Sequence, residues 1–520
     1  MSSLLQFTSR ENLVAAGVVV TALYVIQSFS ARQANKDLPP YVPYTNPILG
    51  STLDYMHAPH EWLSTNFDRY GPVIRAKLFG REQYLIDSPL VREAMNHKNF
   101  NSEKGANAIQ FLDILVGLAV EYHMEDTQHL VLKALNNKMD IFVDRIRPHV
   151  SAITEAKINT KGKVTLEDPF GFIRSIIAQA MADSFVGPKL GCDLEMLHVF
   201  TNVTEIVAKL ATAGASSIIA LIVPGFRRWR SVWEVKHRRI LKPFTDILER
   251  KLIPELDSRV ALRQSCGTSE AEWEGRKPVD VLQTILDDRK VDLTSRQATL
   301  DRLGEVINLL LFLIFASVHL TSVHITWIVN SIALHTECHA ELLAELKLVL
   351  ASQGGVLNDE ALRNLPKLDS FMRETFRTRF DCIGGSQRLA EEDTLLEGKY
   401  LIPKGALINP ITFRSHQSNI LWPDRKDPLE FAPFSHDEPS SRTSPAYLQF
   451  GLGRHACPGR FLAVSEAKLI VCYLLGRYDV KLLEPKKGIQ TPMPAFTFSI
   501  APTSAIVLTP RSEKEAPVLV

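Results

Sequence analysis

The residues with the greatest chemical capacity lie together in Phe450-Gly451-Leu452-Gly453-Arg454-His455-Ala456-Cys457-Pro458-Gly459, where one cysteine sits in a glycine-rich loop beside a guanidinium and an imidazole. Gly451, Gly453 and Gly459 permit dihedrals and close approaches that a Cβ forbids, so backbone N–H groups can turn toward the sulfur. Arg454 and His455 add positive charge. Both effects favour the ionised form of Cys457, and a thiolate is the form that binds a metal such as iron. The competing reading makes Cys457 a small buried hydrophobe beside a turn, the ordinary fate of a free cysteine.

Positioning such a loop takes longer elements. Glu374 and Arg377 fall in residues 368–380, a stretch with apolar residues at helical spacing and neither proline nor glycine. Three residues apart on a helix, they share one face. Taken alone, such a pair is usually a solvated contact worth about 0.3 kcal/mol. Residues 305–326 form a long apolar helix candidate. Only about 13 residues separate Glu305 from His319, fewer than the roughly 20 that cross a bilayer, so a buried core helix is expected.

These features resemble the cytochrome P-450 family, the haem-thiolate monooxygenases, whose signature loop reads Phe-Gly-x-Gly-x-(Arg or His)-x-Cys-(Pro or Ile)-Gly. Residues 450–459 match it at every fixed position. Glu374 lies 83 residues before Cys457, the order and rough separation of the family's K helix and haem loop. The resemblance therefore implies that Glu374 and Arg377 form a buried brace for the haem-binding segment. In relatives an arginine from a later Phe-x-Pro-x-Arg-Phe segment joins that pair. Here residues 431–436 read Phe-Ala-Pro-Phe-Ser-His, with Ser435 in the arginine's place. Glu374 then leans on Arg377 alone, on His436, or on a more distant cation such as Arg442, and the property at stake is the rigidity of the haem loop.

The family's oxygen-activation motif resembles (Ala/Gly)-Gly-x-(Asp/Glu)-Thr-Thr, with His tolerated at the acidic position in some fungal members. Here it reads Ala316-Ser317-Val318-His319-Leu320-Thr321. Leu320 stands where the family's threonine organises protons beside bound dioxygen. Thr321 points about 100° away around the helix and reaches the same place only through a distortion such as a π-bulge. Proton supply is therefore assigned to His319, to water or to a substrate hydroxyl, with Thr321 the second catalytic candidate. The alternative for His319 is an ordinary helix histidine facing core or solvent.

The resemblance further implies haem b, with Cys457 as the axial ligand of the iron, Phe450 and His455 beside it, and dioxygen bound under the helix around Ala316. Arg388 matches an arginine that holds a propionate in relatives, a cation suited to a carboxylate. The alternative is a plain surface charge. His129 and Lys133 fall where relatives carry Trp-x-x-x-Arg, a second propionate contact. Residues 398–405 read as two short strands around a turn, similar to a family hairpin. By resemblance the substrate pocket takes its walls from residues 307–315, 381–385, 111–120 and 496–499, which are largely apolar.

The chain has 520 residues, 45% apolar and 22% charged, with a net charge of +1, so no nucleic-acid-binding surface is implied. No linker, repeat or low-complexity tract divides it after residue 45, so one large domain is expected. Long amphipathic stretches at 337–350 and 460–478, with strand signals near 394–411 and 495–508, predict a mainly α fold with minor β, and the resemblance implies that this is the cytochrome P-450 fold. Six cysteines without Cys-x-x-Cys spacing indicate neither a zinc site nor a disulfide framework, and point to a reducing compartment.

Residues 12–31 are a 20-residue run free of charge, long enough to cross ~30 Å of hydrocarbon as a helix. An N-terminal transmembrane anchor is expected rather than a cleaved signal, because Arg10 is balanced by Glu11 and the cleavage pattern is poor. Arg32 and Lys36 follow the run, which leaves the body in the cytosol. Leu38-Pro39-Pro40-Tyr41-Val42-Pro43 then reads as a stiff extended hinge. The expected organisation is a leader and anchor over 1–31, a proline-rich hinge over 32–45 and a haem-binding catalytic domain over 46–520, similar to single-pass endoplasmic-reticulum members of the family.

No flavin or nicotinamide fingerprint is present, so the resemblance implies electrons from NADPH through a separate NADPH–cytochrome P-450 reductase, with cytochrome b5 as a further partner. The activity implied is oxidation of an apolar small molecule. The haem loop, with Phe461, Glu466 and Lys468 after it, looks like filamentous-fungal members that tailor terpenoids, alkaloids or polyketides. The alternatives are a haem-thiolate enzyme that desaturates, rearranges or couples without net oxygen insertion, and a haem sensor without turnover.

Overall fold

The structure is a computed structural model, and it describes residues 37–46, 49–110, 124–158, 162–212, 225–379, 383–491, 499–512 and 517. The proposed anchor at 12–31 and the expected pocket segment at 111–120 lie outside these residues. Ten helices frame the site and are numbered in chain order: α1 (Ser102–Gln110), α2 (Met124–Leu135), α3 (Met139–Lys157), α4 (Pro169–Gly191), α5 (Leu194–Thr212), α6 (Leu303–Leu334), α7 (His339–Ser352), α8 (Pro366–Thr378), α9 (Thr412–His416) and α10 (Arg460–Arg477). The strands are β1 (Val73–Leu78), β2 (Arg81–Ile86), β3 (Phe100–Asn101), β4 (Val164–Leu166), β5 (Arg388–Ala390), β6 (Thr394–Leu396), β7 (Tyr400–Ile402), β8 (Leu407–Pro410), β9 (Tyr478–Leu482) and β10 (Ile506–Pro510).

The 32-residue helix α6 is apolar on every side, and its length and composition would suit a membrane span. It is instead the centre of the core. Such a helix is stable in water only if all its faces are covered, and α4, α5, α8 and α10 pack around it. Val306, Leu310, Ile314, Val318, Ile325 and Ile328 are completely buried. The expectation of a buried core helix at 305–326 is met, with eight further residues at its C-terminal end. Helix α4 starts on Pro169, whose missing N–H costs nothing at that position, and the Asp168 side chain caps the Gly171 N–H at 2.9 Å.

The strands form a five-stranded sheet in the order β1-β2-β8-β5-β3, a three-stranded sheet β4-β10-β9 and the hairpin β6-β7. The hairpin turns at Glu397 and Gly398, both with positive φ, so it lies a few residues upstream of the 398–405 reading. In the large sheet only β2 and β8 pair in parallel. A Cβ on Gly105 would come within 2.6 Å of the Gln387 and Arg388 backbone, so the glycine lets α1 lie directly on β5 and sets the position of Arg388.

The described end of the proline-rich segment is attached to this sheet. Arg75 donates its backbone N–H to the Pro40 carbonyl, and the Val42 N–H donates to the Arg75 carbonyl, both at 2.8 Å. Val42 is buried in the apolar cluster that also holds Leu63 and Phe67, beside edge strand β1.

Candidate functional site

Residues 450–459 form a turn that ends in the N-terminus of α10. Gly451 and Gly453 have φ of +75° and +68°, the left-handed region that glycine enters without strain. A Cβ on Gly453 would also collide with the Asn96 side chain. The Cys457 N–H donates back to the Phe450 carbonyl at 2.8 Å, closing the loop. Burial pushes the Cys457 thiol up, while the N–H groups of Gly459 and Arg460 and the Arg460 guanidinium favour the thiolate. The cation at the sulfur is thus Arg460, the first residue of α10, and not the Arg454 and His455 pair read from the sequence. Those two are engaged with each other, Arg454 Nε donating to His455 Nε2 at 3.0 Å.

Cys457 opens onto a cavity of about 370 Å³. Helix α6 supplies one wall with Phe312, Phe315, Ala316, Leu320 and His324, a stripe at helical spacing. Ala316 lies in the middle of a buried helix yet is exposed, because its methyl leaves the space in front of the sulfur open. His455, Gly385 and Ser499 also line the cavity. Phe450 packs edge-on to Phe376, with ring centroids 6.4 Å apart.

His319 and Thr321 do not line this cavity. The helix is α throughout, without a π-bulge, so neighbours of Leu320 turn about 100° away. The His319 ring meets Phe170 on α4 edge-on at 5.9 Å, and burial, then the nearby Arg174 charge, lowers its pKa to about 4. Thr321 is buried in the core. Their placement departs from the catalytic roles expected of them. The cavity-facing histidine of α6 is His324, which sequence reasoning passed over.

At the far rim, Arg388 is buried, with Nη1 donating to the Ser386 and Gln387 carbonyls at 2.9 and 3.1 Å and with Nε lacking a partner. Burial, reinforced by the Arg454 charge, lowers its pKa to about 10. Adjacent Gln387 is 2% exposed, and neither its amide oxygen nor its nitrogen has a partner among the described residues. Buried polar groups left this way signal a ligand. A soft sulfur on one wall and unpaired donors at the rim fit an iron porphyrin with carboxylate arms, which Arg388 and Gln387 would hold. His129 and Lys133 are exposed on α2 and are not among the cavity-lining residues. They share the helix face that leads to Asn136, whose side chain lies 3.5 Å from the Pro458 carbonyl.

Behind the loop, Glu374 and Arg377 are completely buried on α8 and meet in a bidentate pair of 2.7 and 2.8 Å. The open question of a third partner resolves in two ways at once. His436 Nε2 lies 2.7 Å from Glu374 Oε2, and Arg425 reaches both carboxylate oxygens at 2.8 and 3.3 Å. Arg425 also donates to Ser435 Oγ, so a cation from ten residues upstream stands over the serine that replaces the usual arginine. Arg442 plays no part; it pairs with Glu438 at 3.3 Å. Burial would raise the Glu374 carboxyl, but hydrogen bonds from Arg377 and His436 overcome it and hold it down at about 2.

The brace reaches the cysteine loop from both sides. Arg377 donates to the His416 carbonyl at 2.9 Å, and the His416 ring accepts the Leu448 N–H at 2.8 Å, just before the loop. Just after it, Lys468 on α10 pairs with Asp369 on α8 at 2.6 Å. Nothing in local pattern pointed to Arg425, which sits in an irregular segment; its stacking on Trp422, 5.4 Å from the ring centroid, is a tertiary contact.

Known proteins resemble this chain in sequence and in fold. The chain is 28% identical to Cytochrome P450 monooxygenase 71 of Postia placenta over 356 residues, covering 66% of this chain and 65% of the relative. It is 26% identical to lanosterol 14-alpha demethylase of Bos taurus over 459 residues, 86% of this chain and 83% of that one. It is 28% identical to fumitremorgin C monooxygenase of Aspergillus fumigatus over 321 residues, 60% of this chain and 58% of that one. The fold is that of the retinoic acid-bound cyanobacterial CYP120A1, with a TM-score of 0.63 at 20% identity over 91% of this chain and 99% of that one. Residues 39–508 match the Cytochrome P450 family, and the chain belongs to that family.

Proposed function

We propose that this protein is a haem-thiolate monooxygenase that inserts oxygen into an apolar small molecule, with electrons from NADPH delivered by a cytochrome P-450 reductase and cytochrome b5 as a further donor. The observation that carries this reading is Cys457, its sulfur facing the cavity under α6 with backbone N–H groups and Arg460 behind it. Bound there, haem supplies oxygen activation, which thiolate ligation favours. The chain's own residues do the rest. Cys457 ligates, Arg388 and Gln387 hold the carboxylate arms, with His129 and Lys133 the candidates for a second contact, and the Glu374 brace keeps the loop in register. Phe312, Phe315, Ala316 and Leu320 exclude water and present an apolar wall to substrate. Relatives named as fungal monooxygenases support a secondary metabolite as substrate: a terpenoid, alkaloid or polyketide.

Residues 1–31 are proposed as a single-pass endoplasmic-reticulum anchor, 32–45 as a proline-rich connector that is no free hinge at its end, since Pro40 and Val42 are bonded to β1, and 46–520 as the cytosolic catalytic domain. Full-length protein, reduced and saturated with carbon monoxide, should show the red-shifted Soret band of a thiolate-ligated haem, and Cys457→Ser should abolish it. A correctly folded, haem-loaded protein without that band refutes the proposal.

A second reading, desaturation, rearrangement or coupling without net oxygen insertion, is favoured by one observation: Leu320, which has no proton to offer, faces the cavity where the family pattern has threonine. Isotopic dioxygen separates the two, since labelled product supports insertion and altered but unlabelled product supports the second. Leu320→Thr should change the coupling of NADPH consumption to product; an unchanged ratio makes the leucine silent.

A further inference from the structure

Five α6 side chains open onto the cavity, and four of them, Phe312, Phe315, Ala316 and Leu320, offer only apolar surface. The fifth is His324, one helical turn beyond Leu320 and so on the same stripe. Its ring meets Phe376 edge-on, with centroids 5.6 Å apart at 77°, a contact that fixes the plane of the imidazole. Neither ring nitrogen is hydrogen-bonded to any described residue. The neighbouring cavity imidazole at His416 is committed, accepting the Leu448 N–H at 2.8 Å.

Burial, then the nearby Arg379 charge, keeps the His324 pKa well below its ordinary value, so the ring is neutral and carries one N–H donor and one acceptor. A polar ring of this kind in an apolar wall loses free energy unless a partner occupies the space in front of it. Water meets that need in an empty cavity, and a ligand oxygen that makes the same bond replaces it without loss. An apolar ligand with nothing to offer leaves the imidazole unpaired and is rejected.

Resting on the haem-thiolate reading, we infer that His324 is a specificity-determining contact which hydrogen-bonds a hydroxyl or carbonyl oxygen on an otherwise apolar substrate. The substrate class narrows accordingly, from any apolar molecule to one that already carries an oxygen when it arrives. The reaction that supplies it must therefore be one that leaves an alcohol or a ketone on a hydrocarbon skeleton. The same bond fixes how the skeleton lies against α6, and with it which carbon is presented for oxidation.

The test uses the full-length, haem-loaded protein and spectral titration with farnesol and its hydrocarbon counterpart farnesene. The native protein should bind farnesol about 5- to 10-fold more tightly than farnesene. His324→Phe, which keeps the ring contact with Phe376, should lose that preference by weakening farnesol alone. His324→Gln, which keeps a donor and an acceptor, should retain part of it. A native protein that does not prefer the alcohol, or a preference that survives in His324→Phe, overturns the inference. If His324→Phe loads no haem, His324→Gln decides, and a Gln variant that prefers farnesene overturns it. The carbon-monoxide Soret band of the native protein is read in the same preparations. Its absence sinks the haem-thiolate reading, while its presence without alcohol preference sinks only the role of His324.

Discussion

Both carboxylate oxygens of Glu374 are filled by donors from Arg377, Arg425, His436 and the Ala432 N–H. On the other side of the cysteine loop, the Gln387 amide, Arg388 Nε and the His324 ring have no hydrogen-bond partner among the described residues. Both regions are buried and polar, yet one is saturated by the chain itself and the other is complete only with something bound. Polar satisfaction therefore sorts residues that shape the loop from residues that receive a ligand, and it does so where burial alone does not.

Breaking the saturated side should have the largest effect. Glu374→Ala strands two guanidinium groups in the interior and should cost about 3–5 kcal/mol, read as a lower denaturant midpoint and poor haem content. Arg425→Ala should cost about 1–3 kcal/mol, while Arg442→Ala, on the surface with Glu438, should stay within about 0.5 kcal/mol. The reverse order by thermal melting would refute the assignment of Arg425 to the brace.

The unsaturated side should behave differently. Arg388→Met removes a buried cation without a carboxylate among the described residues, so the haem-free protein should be as stable as before or more stable by about 1 kcal/mol. Haem should nevertheless be lost faster to an acceptor protein such as apomyoglobin. A destabilised haem-free variant would place Arg388 with the structural group instead.

A further effect is expected on pH. Burial, then the Arg377 charge, depresses the His416 pKa from 6.5 to about 3. Above pH 6.5 the ring is neutral in both folded and unfolded chains and stability is at its full value. Below it the unfolded chain takes up the proton and the folded one does not, so stability falls as pH drops toward 3, by up to about 1.4 kcal/mol per unit. Glu374, depressed from 4.5 to about 2, adds a second loss as pH falls from 4.5 toward 2. Urea midpoints at pH 7.5 and pH 5.5 check the first part, and equal values would contradict it.

The cysteine loop and the Glu374–Arg377 pair were legible in the sequence because their geometry is local: glycines set the turn, and three-residue spacing on a helix sets the pair. The strands near 394–411 and the helix starting at Arg460 were legible for the same reason. Two features were not. Helix α6 is apolar on all sides, so no hydrophobic stripe tells which face meets the cavity, and the family motif drew attention to His319 and left His324 unconsidered. Arg425 sits in a segment without periodic structure, and only the packing of that segment on α8 brings its guanidinium to Glu374.

The attachment of Pro40 and Val42 to strand β1 has a mechanical consequence. A tether that ends in a free swivel would let the body tumble beneath whatever holds its leader, but here the last residues before the globule are zipped to the rim of a sheet. If the leader is embedded in a bilayer, this edge of the sheet is the point where the pull is received, and that side of the molecule is the one held near the lipid.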